Sequence, residues 1–201
     1  MGTTRTTPAI LGNLRDTLEV VAHALSDVRN VPARRRSAVR NLAVFGRAVT
    51  NVLQTLRSTE PDFDEWYAPV VARLRADPVA AFFYKLRTQI LKEGEVAAMS
   101  SYARIKSFDT GEMHKFGPPP PGARRFFIGD HSGGTGWDVE VAPGVVERFY
   151  IALPPEIGTT GLVFIDAAGG KLPNADVVAR CEQYVATLRT VVAEAEAKFR
   201  R

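Results

Sequence analysis

Cysteine is almost missing from this 201-residue chain. Cys181 stands alone, which excludes an internal disulfide and any cysteine-rich zinc site. Histidine is nearly as scarce: three scattered residues, His23, His114 and His131, show neither cysteine nor carboxylate partners at metal-ligand spacing. No metal site and no cofactor is implied. No apolar run approaches the ~18 residues of a membrane span, and the first eight residues are polar and threonine-rich with no apolar leader core. The expectation is a cytoplasmic chain that contacts no membrane. Lysine is sparse beside arginine, 6 residues against 20.

What is present is ordinary for a globular protein, with 45% hydrophobic and 24% charged residues. A chain of this length buries roughly 70% of its unfolded surface and needs no covalent staple. Charge is the uneven feature. The 26 basic and 22 acidic residues give +4. The first hundred residues hold 14 basic and 10 acidic groups, and the remainder hold 12 of each. Between Asp27 and Glu60 lie Arg29, Arg34, Arg35, Arg36, Arg40, Arg47 and Arg57 without one acidic residue. Such a stretch is the electrostatic footprint of a phosphate-binding face. A solvated helix paired with acidic neighbours has the same composition.

The four prolines at 118–121, followed by Gly122, are the strongest punctuation, because consecutive prolines favour an extended spacer. They divide the chain into an extended or disordered segment 1–12, a helical bundle 13–100, an irregular proline-rich linker 101–123, and a sheet plus C-terminal helix 124–201. The expected fold class is α+β: an N-terminal antiparallel helical bundle, then a small antiparallel β-meander and a long last helix.

Periodicity places the helices. Leu14, Leu18, Val21 and Leu25 form a stripe over 13–30, with His23 packed beside it. Val39, Leu42, Gly46, Val49, Leu53 and Leu56 form a core-facing seam over 33–58. Arg36, Arg40, Arg47 and Gln54 fall on the opposite face. Gly46 within the seam points to a close helix approach. Asp62 with Glu65 predicts a capping box for a third helix, whose apolar residues are Phe63, Tyr67, Val70, Val71 and Leu74. Asp77-Pro78 predicts the start of a fourth, with stripe Val79, Phe82, Phe83, Leu86 and Ile90, and Gly94 supplies its stop. Segments 125–129, 136–141, 145–153 and 161–166 read as strands of one meander. Trp137, Val139 and Val141 alternate there with Asp138 and Glu140, as on a sheet with one wet face. The last helix, 175–200, carries Val177, Cys181, Tyr184, Leu188 and Val191. It packs on the sheet or the bundle, or pairs with its copy, and Cys181 is expected to be buried and inert.

Several groupings fall short of a site. Asp130-His131-Ser132 has the residue types of a hydrolytic triad, but adjacent residues do not converge, so a hairpin loop is expected. The glycines at 133, 134 and 136 lack the helix and lysine of a phosphate loop and read as turn residues. Phe126, Phe127, Trp137, Phe149 and Tyr150 suit either a base-stacking platform or a core.

The segment 82–94, Phe-Phe-Tyr-Lys-Leu-Arg-Thr-Gln-Ile-Leu-Lys-Glu-Gly, resembles the motif helix of HEPN domains. Arg87, Thr88 and Gly94 match the family's outline, and Lys92 stands where its histidine belongs. The resemblance covers residues 13–95. It implies a helical bundle whose arginine meets a phosphate, usually across a dimer interface. Lysine does not trade protons near neutral pH as imidazole does. The resemblance therefore implies a protein that retains anion-binding groups without the general acid and base. The expectation is a non-catalytic binder of RNA or another polyanion in a defence, toxin–antitoxin or regulatory system. It would be homodimeric through the bundle or last helix, and would present Arg36, Arg40, Arg47, Arg87 and Lys92. Two alternatives stay open: a divergent ribonuclease using Arg87, with a proton supplied by His114, His131 or a tyrosine, and an assembly scaffold.

Overall fold

A computed structural model describes residues 6–94, 99–165 and 171–200. Among these residues, five long helices, α1 (Thr7–Asn30), α2 (Arg35–Gln54), α3 (Phe63–Ala76), α4 (Pro78–Glu93) and α5 (Val177–Phe199), accompany six strands. The strands are β1 (Met99–Ile105), β2 (Ala123–Ile128), β3 (Thr135–Ala142), β4 (Val145–Ile151), β5 (Gly158–Ile165) and β6 (Lys171–Asp176). The fold is α+β, as the sequence pattern predicts.

The chain divides into two compact units. One comprises Met1–Asn30, Arg36–Ala97 and Val178–Arg201, the other Val31–Arg35 and Ala98–Val177. The proline run thus lies inside the second unit and marks no boundary, and α5 belongs with the helices rather than with the sheet. Segment 101–123 is not a linker: β1 occupies its start, and a 3-10 helix, Thr110–Phe116, follows.

In the helical unit α5 is the central element. Its Val185, Leu188, Val191, Val192, Ala195 and Phe199 are buried, each aliphatic side chain contributing about 1.5–3 kcal/mol through removal from water. Arg15 and Arg29 of α1 pair with Glu196 and Glu182 of α5, so the two helices run antiparallel. Phe63 and Trp66 of α3 meet Phe199 at centroid distances of 6.2 and 5.2 Å. Tyr184 stacks on Phe83 of α4 at 4.3 Å and 8°. Opposite Gly46 of α2 the ring of Tyr184 sits so close that a Cβ would lie 2.5 Å from its Cε1. What approaches Gly46 closely is thus the side chain of Tyr184 rather than the backbone of a neighbouring helix. The apolar seam of α5 is covered by its own chain.

Local signals account for the helix ends, with exceptions. Asp77 caps α4, accepting from the Val79 N–H at 2.8 Å, and Gly94 closes it with φ 72°. Asp62 precedes α3 but makes no side-chain cap. The capping box occurs instead at Asp109 and Glu112, at the head of the 3-10 helix. Helix α1 starts at Thr7, where segment 1–12 was expected to be extended, because Ile10 and Leu11 are buried a turn ahead of Leu14. Residues 1–5 lie outside those described. His23 is exposed beside Glu19, not packed: it sits two residues from both Val21 and Leu25, about 200° around the helix from each. Cys181 is buried, as expected.

The second unit holds two three-stranded antiparallel sheets, ordered β1-β5-β6 and β2-β3-β4. Only β2-β3-β4 is a meander. The strand expected at 161–166 is β5, paired with β1 and β6, and Asp166 lies outside the described residues. The face expected to be wet carries Asp138, which is buried and held by Arg125 at 2.6 Å. Phe126, Trp137 and Phe149 align in one cross-strand row. Phe127 and Tyr150 occupy the adjacent register positions, whose side chains point to the opposite face, so the five aromatics do not form one platform.

Candidate functional site

The helical unit contains a cleft of about 500 Å³, within the range of small-ligand pockets. Each wall follows from helical spacing. From α2 come Arg47, Thr50 and Gln54; from α3, Tyr67, Val71, Leu74 and Arg75; from α4, Ala80, Ala81, Tyr84 and Lys85. Tyr184 and Leu188, one turn apart on α5, complete the lining. Among the described residues, neither histidine nor carboxylate lines it.

Three of these side chains are cations. Arg47 is half-buried and held in place: its Nη1 donates to the Thr50 hydroxyl at 2.7 Å, and its guanidinium carbon lies 5.6 Å from the Tyr84 ring centroid. The Thr50 hydroxyl in turn donates to the Arg47 carbonyl at 2.9 Å, and Gln54 Nε2 donates to the Thr50 carbonyl at 3.1 Å. Arg75 and Lys85 are exposed, as is the ring of Tyr84, at 56%. Among the described residues none of these three cations pairs with a carboxylate within 4 Å. Elsewhere in the same unit Arg15, Arg29, Arg57 and Arg73 all do.

Two tyrosines of the cleft, Tyr67 and Tyr184, are neutral hydrogen-bonding groups. Burial pushes the Tyr184 phenol up to about 12, against the opposing pull of Arg47. Burial also raises Tyr67, with Arg47, Arg57 and a hydrogen bond with Gln54 working the other way. Neither phenol exchanges a proton near neutral pH.

Of the five polyanion-binding candidates read from sequence, Arg36, Arg40, Arg47, Arg87 and Lys92, only Arg47 lines this cleft. Arg40 donates to the Gly94 carbonyl at the end of α4, a cation on the negative end of a helix. Arg36 is half-buried in the first turn of α2 and lies outside the cleft lining. Arg87 is half-buried, with its Nε enclosed and without a hydrogen-bond partner. Lys92 is exposed on the last turn of α4. At five residues' separation, Arg87 and Lys92 stand about 140° apart around the helix, so they share no face. Arg75 and Lys85 escaped the sequence reading because each looks like a solvated charge beside an apolar stripe. The available signal was Tyr67 within the α3 stripe, since a buried phenol needs a polar outlet at the edge of the core.

In the second unit the Asp130 loop is built for support. Its side chain is 4% exposed. Oδ1 accepts the Ser132 and Gly134 N–H groups at 2.9 and 2.8 Å, and Oδ2 accepts from Tyr150 at 2.7 Å and Arg148 at 2.6 Å. Burial alone would raise the carboxyl, but these donors hold it below its ordinary value. Arg35 donates to the carbonyls of Ser132 and Gly133 at 3.1 and 2.9 Å. Backbone or side-chain atoms fill the space where a Cβ on Gly133, Gly134 or Gly136 would stand. The segment is a packed hairpin loop rather than a triad or a phosphate cradle.

Residues 15–110, slightly under half of the chain, match the family model described as bacteriophage lambda protein ea47. The matched stretch runs from α1 through α4 and β1. No curated protein and no solved structure matches the chain. What the chain is similar to, over its first four helices, is that bacteriophage lambda protein family.

Proposed function

We propose that the chain binds RNA without cleaving it and holds phosphate in the cleft between α2, α3, α4 and α5. The observation that carries this reading is the set of three cations, Arg47, Arg75 and Lys85, that face one recess without a carboxylate partner. Charges gathered in this way repel one another and favour an anion between them. Guanidinium groups are suited to phosphate oxygens, which they bind through paired N–H donors. The exposed ring of Tyr84 offers a stacking surface for a base. Among the described residues the lining holds neither histidine nor carboxylate, the commonest general acids and bases, which supports binding over catalysis.

Fluorescence anisotropy of a labelled 12-nucleotide single-stranded RNA at ~50 mM salt tests it. The wild-type chain binds, and Arg47→Ala combined with Lys85→Ala weakens binding at least ~10-fold, as loss of charge-assisted contacts requires. No binding by the wild type at this salt overturns the reading. Equal affinity of the two proteins removes the cleft from it.

A further inference from the structure

We infer that the cleft recognises a terminal phosphomonoester of a single strand, in preference to the diester backbone; this rests on the RNA-binding reading above. Two observations carry it. The first is size: about 500 Å³ is space for one small ligand. Sequence-independent binding along a strand instead uses an extended groove tracking ~4–16 nucleotides. The second is charge. Each backbone diester carries one negative charge, whereas a terminal monoester carries about −1.5 to −2 near pH 7 and offers three acceptor oxygens. Arg47, Arg75 and Lys85 supply three unpaired positive charges to one recess, a better match to the monoester.

The arrangement also separates the parts of a terminal nucleotide. Arg47 is anchored by Thr50 and gives the deeper, fixed donor. Arg75 and Lys85 stand exposed and are able to close over the phosphate from α3 and α4. The ring of Tyr84, with Arg47 against it, lies beside the phosphate position where a base would stack. A strand end enters such a recess with one nucleotide; an uninterrupted strand has to bend to do so.

The chemistry is shared by 5′ and 3′ ends, and the experiment distinguishes them. Four labelled octanucleotides of one sequence are compared by anisotropy: 5′-phosphate, 3′-phosphate, both ends hydroxyl, and a circular RNA of the same composition. The expected result is that one or both phosphorylated strands bind at least ~10-fold more tightly than the hydroxyl and circular forms. Whichever end gains affinity is the end recognised. Arg75→Gln is expected to collapse the difference. Equal binding by all four RNAs overturns the inference and leaves RNA binding standing. Absence of binding by any of them overturns both.

Discussion

Removing the Asp130 carboxylate tests whether the second unit depends on the network drawn around it. Asp130→Ala strands the Ser132 and Gly134 N–H groups inside a buried loop and takes the acceptor from Tyr150 and Arg148. Each buried donor left without a partner costs about 1–3 kcal/mol. Arg148 counts for less, because it is partly exposed and keeps Asp138 at 3.7 Å. The two N–H groups together cost about 2–6 kcal/mol, a fall of roughly 1–3 M in urea midpoint for a slope of about 2 kcal/mol/M. Asp130→Asn keeps an oxygen for both N–H groups and loses chiefly the charge-assisted bond to Arg148, so it costs about 1.5–3 kcal/mol. The pH dependence has a definite sign. The carboxyl is held below its ordinary 3.8 in the folded chain. Its contribution is therefore complete above that value and disappears as pH falls through the depressed one. Urea titrations in a Trp66→Phe background, where Trp137 on β3 alone reports, measure all three effects. The reasoning is refuted if Asp130→Ala leaves the pH 7 midpoint unchanged, or if Asp130→Asn is as damaging as Asp130→Ala.

Two further predictions concern the helical unit. Gly46→Ala gains about 1 kcal/mol in helix propensity, but its Cβ collides with a Tyr184 ring that Phe83 holds from the other side. Overpacking of this kind costs about 1–3 kcal/mol. A net loss near 1 kcal/mol lowers Tm by about 2–4 °C, and a raised Tm in calorimetry contradicts the packing. Because the Tyr184 phenol titrates at about 12 in the folded chain and at the ordinary 10.0 when unfolded, its contribution is fully present below pH 10 and declines between 10 and 12. Tyr184→Phe lacks that decline, so its stability relative to wild type rises by up to about 1.4 kcal/mol per pH unit. Parallel urea midpoints for the two proteins at pH 9, 10 and 11 defeat this prediction.

What was legible in the sequence was local. Spacing of Val39, Leu42, Gly46, Val49 and Leu53 places the α2 seam, and Asp77-Pro78 and Gly94 bound α4, because periodicity and caps act within a few residues. Pairing of β1 with β5 joins segments some sixty residues apart, and nothing near Ser101 announces its partner Leu162. The role of α5 was hidden for a similar reason. Its seam says that it is buried, and only the assembled unit says against what. The cleft was the least legible feature, since four helices from distant parts of the chain contribute to it. Arginine density pointed to α2, yet Arg40 serves the end of α4 and Arg47 alone reaches the recess. The decisive property is the lack of acidic partners in space, which charge counting along a chain does not reveal.

The most direct measurement is the salt dependence of RNA affinity, wild type against the triple variant Arg47→Ala, Arg75→Ala, Lys85→Ala. Each phosphate neutralised on a single strand contributes about 0.7 to the slope of log affinity on log salt. If the three unpaired cations together hold one phosphate, the variant's slope is shallower by at least about 0.7. Identical slopes contradict the account, because the RNA would then be held elsewhere on the chain.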